Sequence, residues 1–193
     1  MARILVLYGT SEGQTRKIAS FVAEELRDRA HTVDLVAASE FEDWPSPDGY
    51  DGVIVGASVH SGQHQAAVRT VVADHRSVLN RGPSAFFSVS LAVLDDDHHK
   101  EAERYVGDFL DETGWTPDEV ETVAGALRYT KYGFVKRFIM KQISKRSGRP
   151  TDTSRDFEFT DWEQVRRFVD RFLQHIESPD AERTPSPQST TTP

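Results

Sequence analysis

The chain opens on an apolar run, Ile4-Leu5-Val6-Leu7-Tyr8, that stops at Gly9 and gives way to Thr10-Ser11-Glu12-Gly13-Gln14-Thr15. A continuous apolar run of this length reads as a parallel strand buried on both faces. Behind the turn, Arg16 to Arg29 carries Ile18, Phe21, Val22 and Leu26 at helical spacing with charges between them, which predicts an amphipathic helix. The same change of period recurs along the chain. His31–Val36 predicts a second strand, Asp43–Asp48 a proline-broken loop, and Gly52–Ser58 a third, buried strand that ends in a polar turn reaching His64. Gln65–Leu79 predicts a helix stopped by Asn80-Arg81-Gly82-Pro83, and Ser84–Ser90 a fourth strand. Asp95-Asp96-Asp97 favours a helix start and Glu101–Thr113 continues that helix. Glu121–Leu127 predicts a fifth strand. Thr160-Asp161-Trp162-Glu163 has the form of a capping box, with Thr160 at the cap, before a helix to about His175.

Strands alternating with helices imply a parallel sheet with right-handed crossovers, in a three-layer α/β sandwich. Five strands suit the order 2-1-3-4-5, whose ligand crevice lies at the carboxyl ends of strands one and three. One segment, Arg128–Arg149, does not fit the alternation and is expected as a basic helical insert after the fifth strand. From Ser178 the sequence SPDAERTPSPQSTTTP has almost no apolar residues and is expected to be disordered. The expected organisation is one domain over residues 1–177, including the insert, and a tail over 178–193.

Composition narrows the function classes. With 193 residues and 37% hydrophobic content there is material for one well-filled core. The absence of cysteine excludes disulfides, thiolate metal sites and cysteine nucleophiles, and suits a reducing cytoplasm. A net charge of −8 argues against general nucleic-acid affinity. The first apolar run is too short for a signal peptide or a membrane span, so a soluble or peripheral protein is expected.

The first turn lacks both G-x-x-x-x-G-K-[ST] and G-x-G-x-x-G, which argues against nucleoside triphosphates and dinucleotides. What it offers is the hydroxyls of Thr10, Ser11 and Thr15 together with the backbone N–H groups of Glu12, Gly13 and Gln14 at a helix start. Neutralisation by dipoles rather than by a cation suits a single terminal phosphate. An ordinary strand-to-helix turn capped by Thr10 or Ser11 is the plainer alternative. The two other converging strand ends, Ser58-Val59-His60-Ser61-Gly62 and Ser88-Val89-Ser90-Leu91, are small and polar enough to let backbone amides approach a flat heteroaromatic ring. Flavin mononucleotide (FMN) would place its phosphate in the first turn and its ring between the other two.

GTSEGQTRKIAS, VIVGASVHSG, PSAFFSVSL, AGALRYTKYGFVKRFIMKQI and TDTSRDFEFTDWEQV, in that order, resemble the flavodoxin-like menaquinone-dependent protoporphyrinogen IX dehydrogenases. The resemblance covers roughly residues 4–176. Its first motif is shared with many flavin proteins; the block Ala124–Ile143, Thr151-Asp152-Thr153 and Thr160-Asp161-Trp162 discriminate. The resemblance implies a flavodoxin-like fold, FMN, a porphyrinogen substrate, a membrane quinone as acceptor and a place on the inner face of the cell membrane. It departs from ordinary flavodoxins in that neither binding turn carries a ring-stacking tyrosine or tryptophan. His60 and His64 occupy the second turn, as flavin contacts, proton relays or solvated loop residues.

Arg128–Arg149 holds eight Lys/Arg and no acid, so the rest of the chain carries −16. Arg128, Lys136, Arg137, Lys141 and Lys145 are interleaved with Tyr129, Tyr132 and Phe138. Basic amphipathic helices of this kind lie in an anionic membrane interface. The same residues would also grip the propionates and rings of a tetrapyrrole, or pack on the sheet as a plain crossover helix. Asp95-Asp96-Asp97-His98-His99 is better read as helix-start acids than as a metal site, and no metal is expected. No catalytic acid or base is assigned. Two other readings of an FMN protein are open: a small electron carrier, which would not need the basic segment, and a nicotinamide-dependent quinone reductase.

Overall fold

Side chains of the first strand alternate between two cores. Ile4, Val6 and Tyr8 enter one, with Ile18, Val22, Leu26, Phe87, Phe168 and Phe172; Leu5 and Leu7 enter the other, with Val55, Val68, Val72, Phe86, Phe109 and Trp115. That is the two-residue period of a strand covered on both faces. A computed structural model describes residues 1–43, 46–94, 99–127 and 157–178. Its elements are β1 (Arg3–Gly9), α1 (Gln14–Asp28), β2 (Thr32–Ala37), β3 (Gly52–His60), β4 (Gln63–His64), α2 (Ala66–Leu79), β5 (Ser84–Ser90), α3 (His99–Thr113), β6 (Glu119–Ala124), β7 (Ala126–Leu127), β8 (Phe157–Glu158) and α4 (Trp162–Glu177), with short 3-10 turns between.

The main sheet has the order β2-β1-β3-β5-β6, with β4 added to β3. Its five long strands are all parallel. Counted among themselves they run 2-1-3-4-5, the order expected from the sequence. β4 pairs antiparallel with β3. Helices α1 and α4 cover one face and α2 and α3 the other. Helix α4 buries Val165, Phe168, Val169, Phe172 and Leu173, a helical stripe facing the sheet.

Several boundaries differ from expectation, each for a local reason. β6 starts at Glu119 and ends at Ala124 rather than running from Glu121 to Leu127. Its acids are tolerated because Glu119 pairs with Arg171 at 3.0 Å and meets His175 at 3.1 Å, while Glu121 pairs with Arg171 at 2.5 Å. Beyond Gly125 the chain leaves the main sheet, and β7 pairs antiparallel with β8 in a separate two-stranded sheet. The cap of α4 is Asp161, whose carboxylate accepts from the Glu163 and Gln164 N–H groups at 3.0 and 3.1 Å. Thr160, expected at the cap, is used elsewhere. The expected polar turn after β3 is a hairpin: β3 extends to His60, and Ser61 and Gly62 turn the chain at φ 52° and 83°. Positive φ at both central residues is what a type I′ turn requires.

The basic segment and the discriminating Thr151-Asp152-Thr153 lie outside the described residues, as do Asp95–His98 and the tail from residue 179. Among the described residues no helix is long and apolar enough to cross a membrane.

Candidate functional site

The parallel order brings the carboxyl ends of β1, β3, β5 and β6 to one edge of the sheet. The first loop closes when Gly13 N–H donates to Thr10 Oγ1 at 2.8 Å, with Gly13 at φ 93°. The first helical bond runs from Lys17 N–H to the Gly13 carbonyl. The N–H groups of Gln14, Thr15 and Arg16 therefore have no partner inside α1 and make its start electropositive. Ser11 is exposed, and Glu12 and Gly13 are half-buried.

Thr15 lies at the centre of this arrangement. It is 1% exposed, and its Oγ1 is buried without any hydrogen-bond partner. Buried hydroxyls are nearly always satisfied. An orphaned hydroxyl beside three free N–H groups matches a ligand that supplies acceptor oxygens, and a phosphate monoester does so. Gln14, also buried, points away: its Nε2 donates to Thr160 Oγ1 at 3.0 Å, and Thr160 donates to the Ala124 carbonyl at 2.8 Å. Lys17 is paired with Glu158 and stands 5.2 Å from the Trp162 ring centre, so its charge is engaged with β8 and α4.

At the end of β3, Ser58 and Val59 are half-buried and His60 and Ser61 exposed. His64 is neither in a solvated turn nor at the surface; it is 4% exposed beneath the hairpin. Its Nε2 meets Ser88 Oγ at 2.9 Å, and the Phe86 and Phe109 rings approach it edge-on at 5.3 and 4.9 Å. Burial, with a smaller contribution from nearby Arg69, pushes its pKa down to about 4. Along β5, Ser88 is turned to His64, Val89 is part of the core that contains Phe87, and Ser90 is buried; Leu91 is exposed at the strand end.

Gln65 is a site residue that sequence reasoning passed over. Its Oε1 accepts from Ser58 N–H at 3.1 Å, and its Nε2 donates to Ser11 Oγ at 3.1 Å and to Ser58 Oγ. The one available signal was an amide directly ahead of a helix, where a short polar cap is usual. A cavity of about 70 Å³ between the hairpin and α3, bordered by Gly62, Arg69, Tyr105 and Asp108, has room for a few waters and none for a flavin. No group of three or more His, Asp or Glu suited to a metal occurs among the described residues.

A flavodoxin-domain family model matches residues 5–154. The protoporphyrinogen IX dehydrogenase (quinone) of Escherichia coli is 38% identical over 175 residues, covering 90% of this chain and 96% of that protein. The chain belongs to this flavodoxin-domain family of protoporphyrinogen IX dehydrogenases. A Leishmania major member is 36% identical over 172 residues, 88% of this chain and 74% of its own. Among solved structures, a short-chain flavodoxin associated with a bacterial microcompartment superposes with a TM-score of 0.58 at 14% identity, covering 91% of this chain and 99% of its own. Oxidised flavodoxin 1 from Bacillus cereus gives 0.53 at 18%, over 90% and 98% of the two chains. These two likenesses establish the fold. Family membership agrees with the resemblance drawn from the sequence motifs, and the described part of the match is the part that builds the sheet edge and its loops.

Proposed function

We propose that this chain binds FMN and oxidises protoporphyrinogen IX to protoporphyrin IX, passing the electrons to a membrane quinone, menaquinone being the expected one. The observation that carries the reading is the unpartnered, buried Thr15 hydroxyl at the start of α1, in a chain that matches the dehydrogenases over nine-tenths of its length. The phosphate would be held by Ser11, the Thr15 hydroxyl and the N–H groups of Gln14, Thr15 and Arg16, with Thr10 and Gly13 shaping the loop around it. The ring would lie against Ser58–Gly62 and Ser88–Leu91. Bound FMN supplies reversible two-electron chemistry, so a porphyrinogen is oxidised in successive two-electron steps.

The chain's own contribution is placement. The helix start neutralises the phosphate by dipoles, the type I′ hairpin fixes one wall of the ring site, and no described side chain is called on as an acid or base. The basic residues Arg128, Lys136, Arg137, Lys141 and Lys145, with Tyr129, Tyr132 and Phe138, are assigned to docking. They would attract either the substrate's propionates or the anionic inner face of the membrane, which makes the protein peripheral there.

The test is an anaerobic assay of purified, flavin-loaded protein with protoporphyrinogen IX and a menaquinone analogue, followed by porphyrin fluorescence. A rise above the protein-free control that depends on the quinone is the expected result. No rise, in protein that does carry FMN, removes the dehydrogenase reading.

A further inference from the structure

Two consecutive residues hold the ends of three strands. His64 closes β4 and reaches Ser88 of β5 at 2.9 Å. Gln65 occupies the cap position of α2 but makes no side-chain cap. Its amide instead spans sideways, accepting from Ser58 N–H at 3.1 Å and donating to Ser11 Oγ at 3.1 Å as well as to Ser58 Oγ. One side chain therefore links the loop after β1 to the end of β3. The dipeptide is itself pinned: the His64 carbonyl accepts from Arg69 at 3.2 Å, and Arg69 pairs with Glu112 of α3 at 2.8 Å. Gly9 makes the span possible, because a Cβ there would stand 3.1 Å from Gln65 Oε1.

We propose that Gln65 is a positioning residue that fixes the spacing between the phosphate-side loop and the ring-side hairpin, with His64 anchoring the pair to β5. The inference rests on the FMN reading of the site. A helix-start glutamine that gives up its own cap to bridge two loops contributes no ligand-binding group of its own, and Ser11 Oγ, which accepts its N–H, keeps its own proton for the phosphate. What Gln65 sets is the distance between the two loops. A ligand that occupies both loops gains from finding them already at the right spacing, whereas a ligand that occupies one gains nothing.

The prediction is therefore selective by ligand. Gln65→Met keeps the length and apolar stem beside Val68 and removes every hydrogen bond of the amide. Binding of FMN, riboflavin and inorganic phosphate to the apoprotein would be measured by flavin fluorescence and calorimetry. FMN affinity is expected to fall about tenfold, the worth of the lost bridging bonds. Riboflavin, which lacks the phosphate, and phosphate alone should each stay within about twofold of the parent. Equal losses for FMN and riboflavin would mean a general structural role and overturn the proposal; so would unchanged FMN affinity. Should Gln65→Met fail to fold, Gln65→Asn carries the same test, since asparagine is a better helix cap but is one methylene too short to bridge. Parent protein that binds no FMN overturns the functional reading, and this inference with it, before any variant is considered.

Discussion

The Thr160 hydroxyl accepts from the Gln14 side chain, 146 positions away in sequence, at 3.0 Å and donates to the Ala124 carbonyl at 2.8 Å, joining the start of α1 to the end of β6. Both bonds are buried, so replacing the hydroxyl by a methyl strands an amide and a carbonyl together. Thr160→Val is expected to cost about 2 kcal/mol, because each unsatisfied buried partner carries its own desolvation penalty. Gln14→Leu leaves the bond to Ala124 intact and should cost about half as much. Urea unfolding of the two variants checks the ranking; equal midpoints would show that the carbonyl is satisfied some other way.

Thr15 should behave in the opposite sense. Its hydroxyl is buried without a partner, so in the ligand-free protein it is a cost rather than a gain. Thr15→Val, nearly isosteric, is expected to stabilise the apoprotein by about 1 kcal/mol. The same change should weaken FMN about tenfold by removing a donor to its phosphate. Thermal melting and flavin titration on one preparation measure both. A variant that is less stable and binds FMN normally would mean that the hydroxyl is satisfied within the protein.

The sheet was legible in the sequence because both faces are covered. Val53 to Val55 and Phe86-Phe87 are buried runs that admit only one reading, and the strand order followed from their number. The closure of the first loop was legible as well, since Thr10 and Gly13 act locally, three residues apart. What could not be read were the long-range uses of polar side chains. Thr160 has the sequence context of a helix cap but serves β6 and α1, and the cap falls to Asp161. His64 stands among Ser61, Gly62, Gln63 and Gln65, a polar setting, and yet the hairpin folds it beneath the surface against Phe86 and Phe109. No local pattern announces a partner 24 residues away.

His64 makes stability depend on acidity. Its folded pKa is depressed to about 4 from an ordinary 6.5, chiefly by burial, so the unfolded chain takes up a proton before the folded one does. Its contribution is complete above pH 6.5 and is lost as pH falls toward 4. The expected loss over that window is about 3 kcal/mol. His64→Gln, which cannot titrate, should be less stable at neutral pH and lose less on acidification. Parallel pH profiles for the two proteins would remove His64 as the source.

The assignment of Lys136, Arg137, Lys141 and Lys145 to docking makes a separate prediction. Replacing all four by Gln should abolish sedimentation with vesicles containing anionic lipid, each cation being worth about 1 kcal/mol near such a surface. FMN content should be unaffected. Undiminished sedimentation would leave the tetrapyrrole propionates as the partner of these cations, and turnover at limiting porphyrinogen then becomes the measurement that separates the two.

Gly9 ends β1 against the first turn of α2. A Cβ built there would stand 2.3 Å from Val68 Cγ2. Val68 is fully buried in the α2-side core and has no room to swing aside, and the Gln65 side chain closes the other flank. Gly9→Ala should therefore push α2 outward and cost about 2 kcal/mol by overpacking. The same displacement would break the span of Gln65 to Ser58 and Ser11, so FMN affinity should fall together with stability. Removing the obstructing methyl tests the cause directly. Val68→Ala alone opens a void and destabilises, but with Gly9→Ala the new Cβ fills part of that void, so the double variant should be more stable than the two single losses predict by about 1 kcal/mol. Simple additivity in denaturant unfolding would mean that Gly9 is required for something other than the close approach of α2.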